Sequence, residues 1–219
     1  MYELGILLIF SVLAFRTAEV KDEDLSPLPR KVSDKLGNLW NIAHQGMRDN
    51  RFLRAEKALL TILKIDQKNA AAYNRLGILY AKQKEYKDAI DCFEIATTIE
   101  SSPSSLHNLG LIYYETENYD KAATAFEQAL KLEDGLAARH IAYAKVQEKL
   151  GNQKALFREL ELAVELEPSK ESFSLLAKAY ESHDKHDELE ALKKRLGSIK
   201  LINKNQPNRV KRPKRRVVI

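Results

Sequence analysis

Cysteine is nearly missing from this sequence: Cys92 is the only one in 219 residues. No intramolecular disulfide can form, and neither a cysteine-based zinc site nor a CxxC redox centre can be built. Glycine (8) and proline (6) are also sparse, far below their levels in disordered or collagen-like chains. HExxH, GxGxxG, GxSxG and the P-loop do not occur, which removes the commonest sequence signatures of enzymes. Acidic residues are missing from one region, Lys200 to Ile219, which holds eight basic side chains. The whole chain carries +5, so residues 1–199 sum to −3 and a mildly acidic body precedes a strongly basic tail. What is present is 44% apolar and 31% charged, the balance of a folded, helix-rich chain long enough for one domain or for an array of small repeats.

Self-similarity decides between those two. Tyr73, Leu76, Gly77 and Tyr80 recur 33 residues later as Leu106, Leu109, Gly110 and Tyr113. Ala89, Phe93 and Ala96 follow the first set, and Ala122, Phe126 and Ala129 follow the second at the same distance. Steps of three, four and seven place each set on one helical face, so each copy is a helix pair. Glycine facing a second helix lets the two approach closely, and a lone pair leaves its apolar face uncovered, which calls for stacking.

Weaker copies extend the register. Residues 36–69 carry Leu39, Ile42, Ala43, Phe52, Ala55, Leu59 and Ile62, with Gly46 where the central copies have tyrosine. Residues 137–169 carry Tyr143, Ala144, Gly151, Leu160, Ala163 and Pro168, but His140 and Gln147 stand for large residues and Leu156 for a small one. A degraded copy over 170–200 has Phe173, Leu176, Ala177, Tyr180, Leu189 and Leu196, and its Lys193 in place of phenylalanine marks a capping unit with a polar outer face,. Asn69, Ser102-Pro103 and Ser169 supply helix starts at the boundaries,. The pattern resembles the tetratricopeptide repeat (TPR), a helix-turn-helix unit of about 34 residues. The resemblance implies an all-α solenoid over 36–200 with repeats at 36–69, 70–102, 103–136, 137–169 and 170–200. Outside it, Pro27, Pro29 and mixed charge make 19–35 read as a linker, and 201–219 reads as a basic tail too Pro-interrupted to fold alone,.

Chemistry has few candidates. His183-Asp184-Lys185-His186-Asp187-Glu188 gathers imidazoles and carboxylates, but in register it falls on a solvated turn, and no metal or other cofactor is expected. Cys92 reads as a small, partly buried apolar residue. An enzyme is not expected. In TPR proteins function lies on the concave face made by the first helix of each repeat. The resemblance places Trp40, His44, Asn74, Ile78, Lys82, His107, Leu111, Tyr114, Ile141 and Lys145 there. Trp40, Ile78, Leu111, Tyr114 and Ile141 are apolar without being required by the stacking pattern, which points to an apolar peptide or helix of a protein partner. TPR clamps for acidic chaperone C-termini need basic residues where Ala138 and Ala142 stand, so that subtype is excluded.

The two ends carry separate expectations. Leu4–Phe15 is an apolar run broken only by Ser11, and Tyr2–Ala18 gives 17 residues, roughly 26 Å of helix, the short limit for a bilayer span,. Arg16 and Lys21 lie after it, favouring a single-pass anchor over residues 1–18 with the repeats on the cytoplasmic side,. A cleaved signal, giving a secreted or periplasmic protein, and a buried helix are the alternatives. No cysteine follows the run, which excludes a lipoprotein. Arg209, Lys211, Arg212, Lys214, Arg215 and Arg216 make the tail a solubilising segment, a contact to anionic lipid, or a polyanion-binding segment, and no aromatic interleaves them for base stacking,. The sequence is therefore expected to encode a membrane-anchored, non-enzymatic adaptor or assembly scaffold, with a soluble or nuclear nucleic-acid-associated TPR adaptor as the alternative.

Overall fold

A computed structural model describes residues 30–205. Every regular element in that range is an α-helix: α1 (Arg30–Arg48), α2 (Phe52–Ile65), α3 (Ala70–Gln83), α4 (Tyr86–Ile99), α5 (Pro103–Glu115), α6 (Tyr119–Leu132), α7 (Ala137–Lys149), α8 (Gln153–Leu166), α9 (Lys170–Ser182) and α10 (His186–Asn205). The chain separates into two units at Gln67. Within them the helices pair in sequence order, each with the helix that follows it, as the resemblance implies. Two limits differ from expectation. Helix already begins at Arg30, inside the expected linker, because residues 30–35 contain no breaker after Pro29. Likewise α10 continues to Asn205, five residues into the expected tail, because the first proline is Pro207,.

The backbone turns repeat more regularly than the side chains do. Asn50, Lys84, Glu117, Gly151 and Asp184 all have positive φ, between 55° and 72°. Each sits between the two helices of its pair. The next amide in each case donates back to the carbonyl five residues earlier: Arg51 to Gly46 at 2.8 Å, Glu85 to Tyr80 at 2.9 Å, Asn118 to Tyr113 at 2.8 Å, Asn152 to Gln147 at 2.9 Å and Lys185 to Tyr180 at 2.9 Å. This is the left-handed closure that satisfies the orphan carbonyls of a helix end. Helix starts are satisfied by side chains where the sequence provides them. Asn69 accepts from the Ala72 amide at 2.9 Å, Ser102 from the Ser105 amide at 3.1 Å, and Ser169 forms a reciprocal capping box with Ser172,.

In the first unit α1 and α2 cross at Gly46, where an added Cβ would lie 3.0 Å from the Ala55 Cβ. Ala43, Ala55, Leu59 and Ile62 form the buried face of that pair. The second unit, α3 to α10, is a solenoid with two apolar clusters. Phe93, Leu109, Ile112, Tyr113, Phe126 and Val146 belong to one, and Leu156, Phe157, Leu160, Phe173, Leu176, Tyr180, Leu189 and Leu192 to the other. Leu192, one residue before the position that phenylalanine holds in the central copies, fills the core of the last pair and leaves Lys193 exposed. Helix α7 serves both clusters, through Val146 and Ala144.

Among the described residues no helix is long and apolar enough to cross a membrane. The expected anchor at 1–18 and the basic residues Arg209–Arg216 lie outside the described residues.

Candidate functional site

First helices α5, α7 and α9 of successive pairs line a cleft of about 340 Å³ in the second unit. Leu111, Tyr114 and Glu115 follow one another at three- and four-residue steps on α5, and Ala138, Ile141, Ala142 and Lys145 do so on α7, so each helix turns one continuous face to the opening,. The turn before α9 and its first residues close the far side with Glu167, Ser169, Glu171 and Ser172. Both serines are already engaged, since Ser172 donates to the Glu167 carbonyl at 2.7 Å as well as joining the capping box. The cleft thus offers an apolar floor and a rim of three carboxylates, Glu115, Glu167 and Glu171, against one ammonium, Lys145. A second cleft of about 280 Å³ shares Ile141 and Lys145 and adds one charge of each sign, Glu148 and Lys178.

Half of the residues assigned to the groove from sequence meet here: His107, Leu111, Tyr114, Ile141 and Lys145. Leu111 is the clearest exposed apolar contact, at 38%. Ile78 and Tyr114, read as free of the stacking, are half-buried against the α4–α6 core, and Tyr114 also meets Tyr119 edge-on with centroids 5.7 Å apart. Asn74 is tied up across the repeats, accepting from the Asn108 amide group at 3.1 Å. Lys82 is exposed on α3. Trp40 and His44 stand on α1 in the first unit as a tilted ring pair with centroids 5.7 Å apart.

His107 is set deepest. Its ring meets Phe126 edge-on at 5.4 Å, and its Nδ1 is buried with no hydrogen-bond partner among the described residues. Burial, and then the Arg139 charge, hold its pKa below the ordinary imidazole range,. Since the unfolded chain binds the proton more readily, stability falls as pH drops below about 6.5 toward the lower folded value. His107→Leu removes both the unpaired nitrogen and that proton linkage. We expect thermal stability at pH 7 to be unchanged or higher, with a smaller loss between pH 7 and pH 5 than in the unmodified chain; pH-dependent melting curves check this.

Beneath the cleft α7 buries a polar layer that sequence reading recognised only in part. Arg139 is 2% exposed; its guanidinium donates to the Glu133 carbonyl and, at 3.1 Å, to the Glu133 carboxylate. His140 contacts the Asp134 carbonyl through Nε2 at 2.7 Å and the buried Glu159 carboxylate through Nδ1 at 2.8 Å, while Arg158 reaches the other Glu159 oxygen at 2.7 Å. The start of α7 has no side-chain cap for its amides; separately, Arg139 and His140 hold the Glu133 and Asp134 carbonyls of the turn before it. A guanidinium in a first helical turn opposes the helix dipole, so the repeat pattern gives no reason to look for Arg139.

Among the described residues no group of three or more His, Cys, Asp or Glu could hold a metal ion. Of the 183–188 cluster, residues 183–185 form the α9–α10 turn and His186 to Glu188 open α10; His183 packs edge-on against Phe157 at 5.2 Å and Lys185 lies over the Phe157 ring at 5.0 Å. Burial, with Asp88 and Asp91 nearby, pushes the Cys92 thiol up to about 11, so it stays protonated and unreactive at neutral pH.

The fold defines a TPR-type helical solenoid. Residues 68–132 match the tetratricopeptide repeat family model. Among solved structures, the chain resembles MamA at 20% identity, over 80% of this chain and 97% of that one, with a TM-score of 0.68. MamA residues 41 to the end from Desulfovibrio magneticus RS-1 align at 15% identity, over 80% and 98%, with a TM-score of 0.67. YrrB, described as a TPR protein with an unusual peptide-binding site, aligns at 19% identity, over 70% and 80%, with a TM-score of 0.61. At these identities the likeness establishes the fold. A search of curated proteins finds no match.

Proposed function

We propose that this protein is a non-enzymatic adaptor or assembly scaffold that takes a peptide or helix of a protein partner in the groove of its second unit, while residues 2–18 anchor it in a membrane with the repeats on the cytoplasmic side. The observation that carries the binding role is the convergence of His107, Leu111, Tyr114, Ile141 and Lys145 on one cleft of about 340 Å³. That is ample for one or two anchoring side chains, which commonly dominate the energetics of such interfaces. Peptide binding is also the property named for the YrrB structure, which shares the fold. Trp40 and His44 are assigned to partner contact on the first unit.

Leu111 separates binding from folding better than Tyr114, because Tyr114 packs on the core. Leu111→Lys should change stability by no more than about 0.5–1 kcal/mol and cut partner capture by at least ~10-fold, as read by crosslinking pull-down of the full chain. The anchor rests on the apolar run Leu4–Phe15 and the basic residues after it,. Deleting residues 1–18 should move the protein from the carbonate-resistant membrane pellet to the soluble fraction with its helical circular dichroism intact. A soluble full-length chain that co-purifies with nucleic acid would overturn the anchor.

A further inference from the structure

The groove has a chemical preference, and the chain carries a segment that matches it. Three carboxylates, Glu115, Glu167 and Glu171, face one ammonium around an apolar floor in the cleft between α5, α7 and α9. Residues 206–219 hold six cationic side chains and no acidic one, interspersed with Val210, Val217, Val218 and Ile219. Charge and apolar content are complementary, although Lys145 and, in the neighbouring cleft, Lys178 act against a cationic ligand.

Reach is also satisfied. Helices α9 and α10 are joined by a three-residue turn and pack on each other, so α10 runs back toward the start of α9. At 1.5 Å per residue α9 is about 20 Å long and α10 about 30 Å, which carries Asn205 to the end of the pair where Glu167 and Glu171 stand. Fourteen residues of chain can span at most about 46–50 Å. The acidic rim lies within that span, and tethering places the tail there at an effective concentration on the order of millimolar.

We propose that the cleft between α5, α7 and α9 is a site for cationic peptides with apolar anchors, and that its resident occupant is the chain's own tail, residues 206–219, docked in cis. This rests on the reading of the cleft as a peptide groove and names what that groove selects. An external partner of the same chemistry then has to displace the tail, so deleting residues 206–219 strengthens partner capture.

The test uses the full-length chain in detergent with a zero-length carbodiimide crosslinker, read by mass spectrometry. The expected result is Lys211 or Lys214 joined to Glu115, Glu167 or Glu171, with the links lost on Glu167→Lys/Glu171→Lys and reduced at least fivefold in 0.5 M salt. Mixing isotopically heavy and light chains should give links within one chain only. Heavy–light links would replace the cis occupant with a second copy and overturn the proposal. In parallel, a fluorescent peptide of residues 206–219 should bind the chain truncated at Asn205, and Leu111→Lys in that chain should weaken binding at least tenfold. Absence of both links and peptide binding overturns the proposal. If the truncated chain then still captures a partner in a Leu111-dependent way, the peptide groove stands and only its occupant was wrong; if capture also ignores Leu111, both readings fail.

Discussion

Glu159→Ala should cost about 3–5 kcal/mol of folding stability, and adding His140→Leu should restore a large part of it. Glu159 is 3% exposed and accepts from both His140 and Arg158, while His140 is 5% exposed with both ring nitrogens against acceptors. Removing the carboxylate leaves a buried imidazole Nδ1 without its partner. Removing both groups recreates the third repeat, where the corresponding positions are Leu106 and Ala125, both buried. Replacing both partners of a buried pair by apolar groups is often close to neutral. A double-mutant cycle by urea unfolding should therefore return a coupling of at least ~1.5 kcal/mol. Additive single-mutant effects would show that the two side chains do not act as a unit.

Gly77→Leu and Gly110→Leu should each destabilise the array by about 1–3 kcal/mol through overpacking. A Cβ on Gly77 would lie 2.7 Å from the Phe93 ring, and one on Gly110 would lie 2.9 Å from the Phe126 ring. Both rings are essentially fully buried, so either must shift for the new side chain to fit. By contrast, Gly135→Ala, whose Cβ would have no neighbour within 4 Å, should leave the melting temperature nearly unchanged. Equal effects at all three positions would contradict the close approach of paired helices.

These cases show which parts of the molecule are legible in its sequence. Gly77 with Phe93, and Gly110 with Phe126, announce themselves because a missing side chain and a large ring at fixed spacing are chemically extreme. The five left-handed turn residues do not, because Asn50, Lys84, Glu117, Gly151 and Asp184 share no chemistry. What recurs is the backbone bond that closes each turn, and only Gly151 adopts that conformation without a side-chain penalty. In the fourth copy His140, Gln147 and Leu156 look like departures from the pattern. For His140 the explanation lies in Glu159 and the Asp134 carbonyl, partners outside the repeat signature.

The residues expected to face a groove coincide with the cleft on α5 and α7 and less so elsewhere. His107, Leu111, Ile141 and Lys145 line the cleft at positions the TPR resemblance implies. Half-burial of Ile78 and Tyr114 depends on which neighbours reach them, which register cannot say. Glu167, Ser169, Glu171 and Ser172 come from the turn before α9 and its first residues, so an assignment restricted to one face of each first helix passes them over. The acidic rim is missed for that reason, and with it the basis for the cationic ligand proposed above.

The adaptor reading stands on the claim that partners enter the face lined by α5, α7 and α9. Photo-crosslinking from single positions in the full-length chain measures this most directly, with the photoreactive residue placed at Leu111 in the cleft or at Thr124 on the exposed face of α6. The account predicts a partner adduct from Leu111 that is absent from Thr124 and that disappears when excess cationic peptide is added. Adducts from Thr124 with none from Leu111 would contradict it.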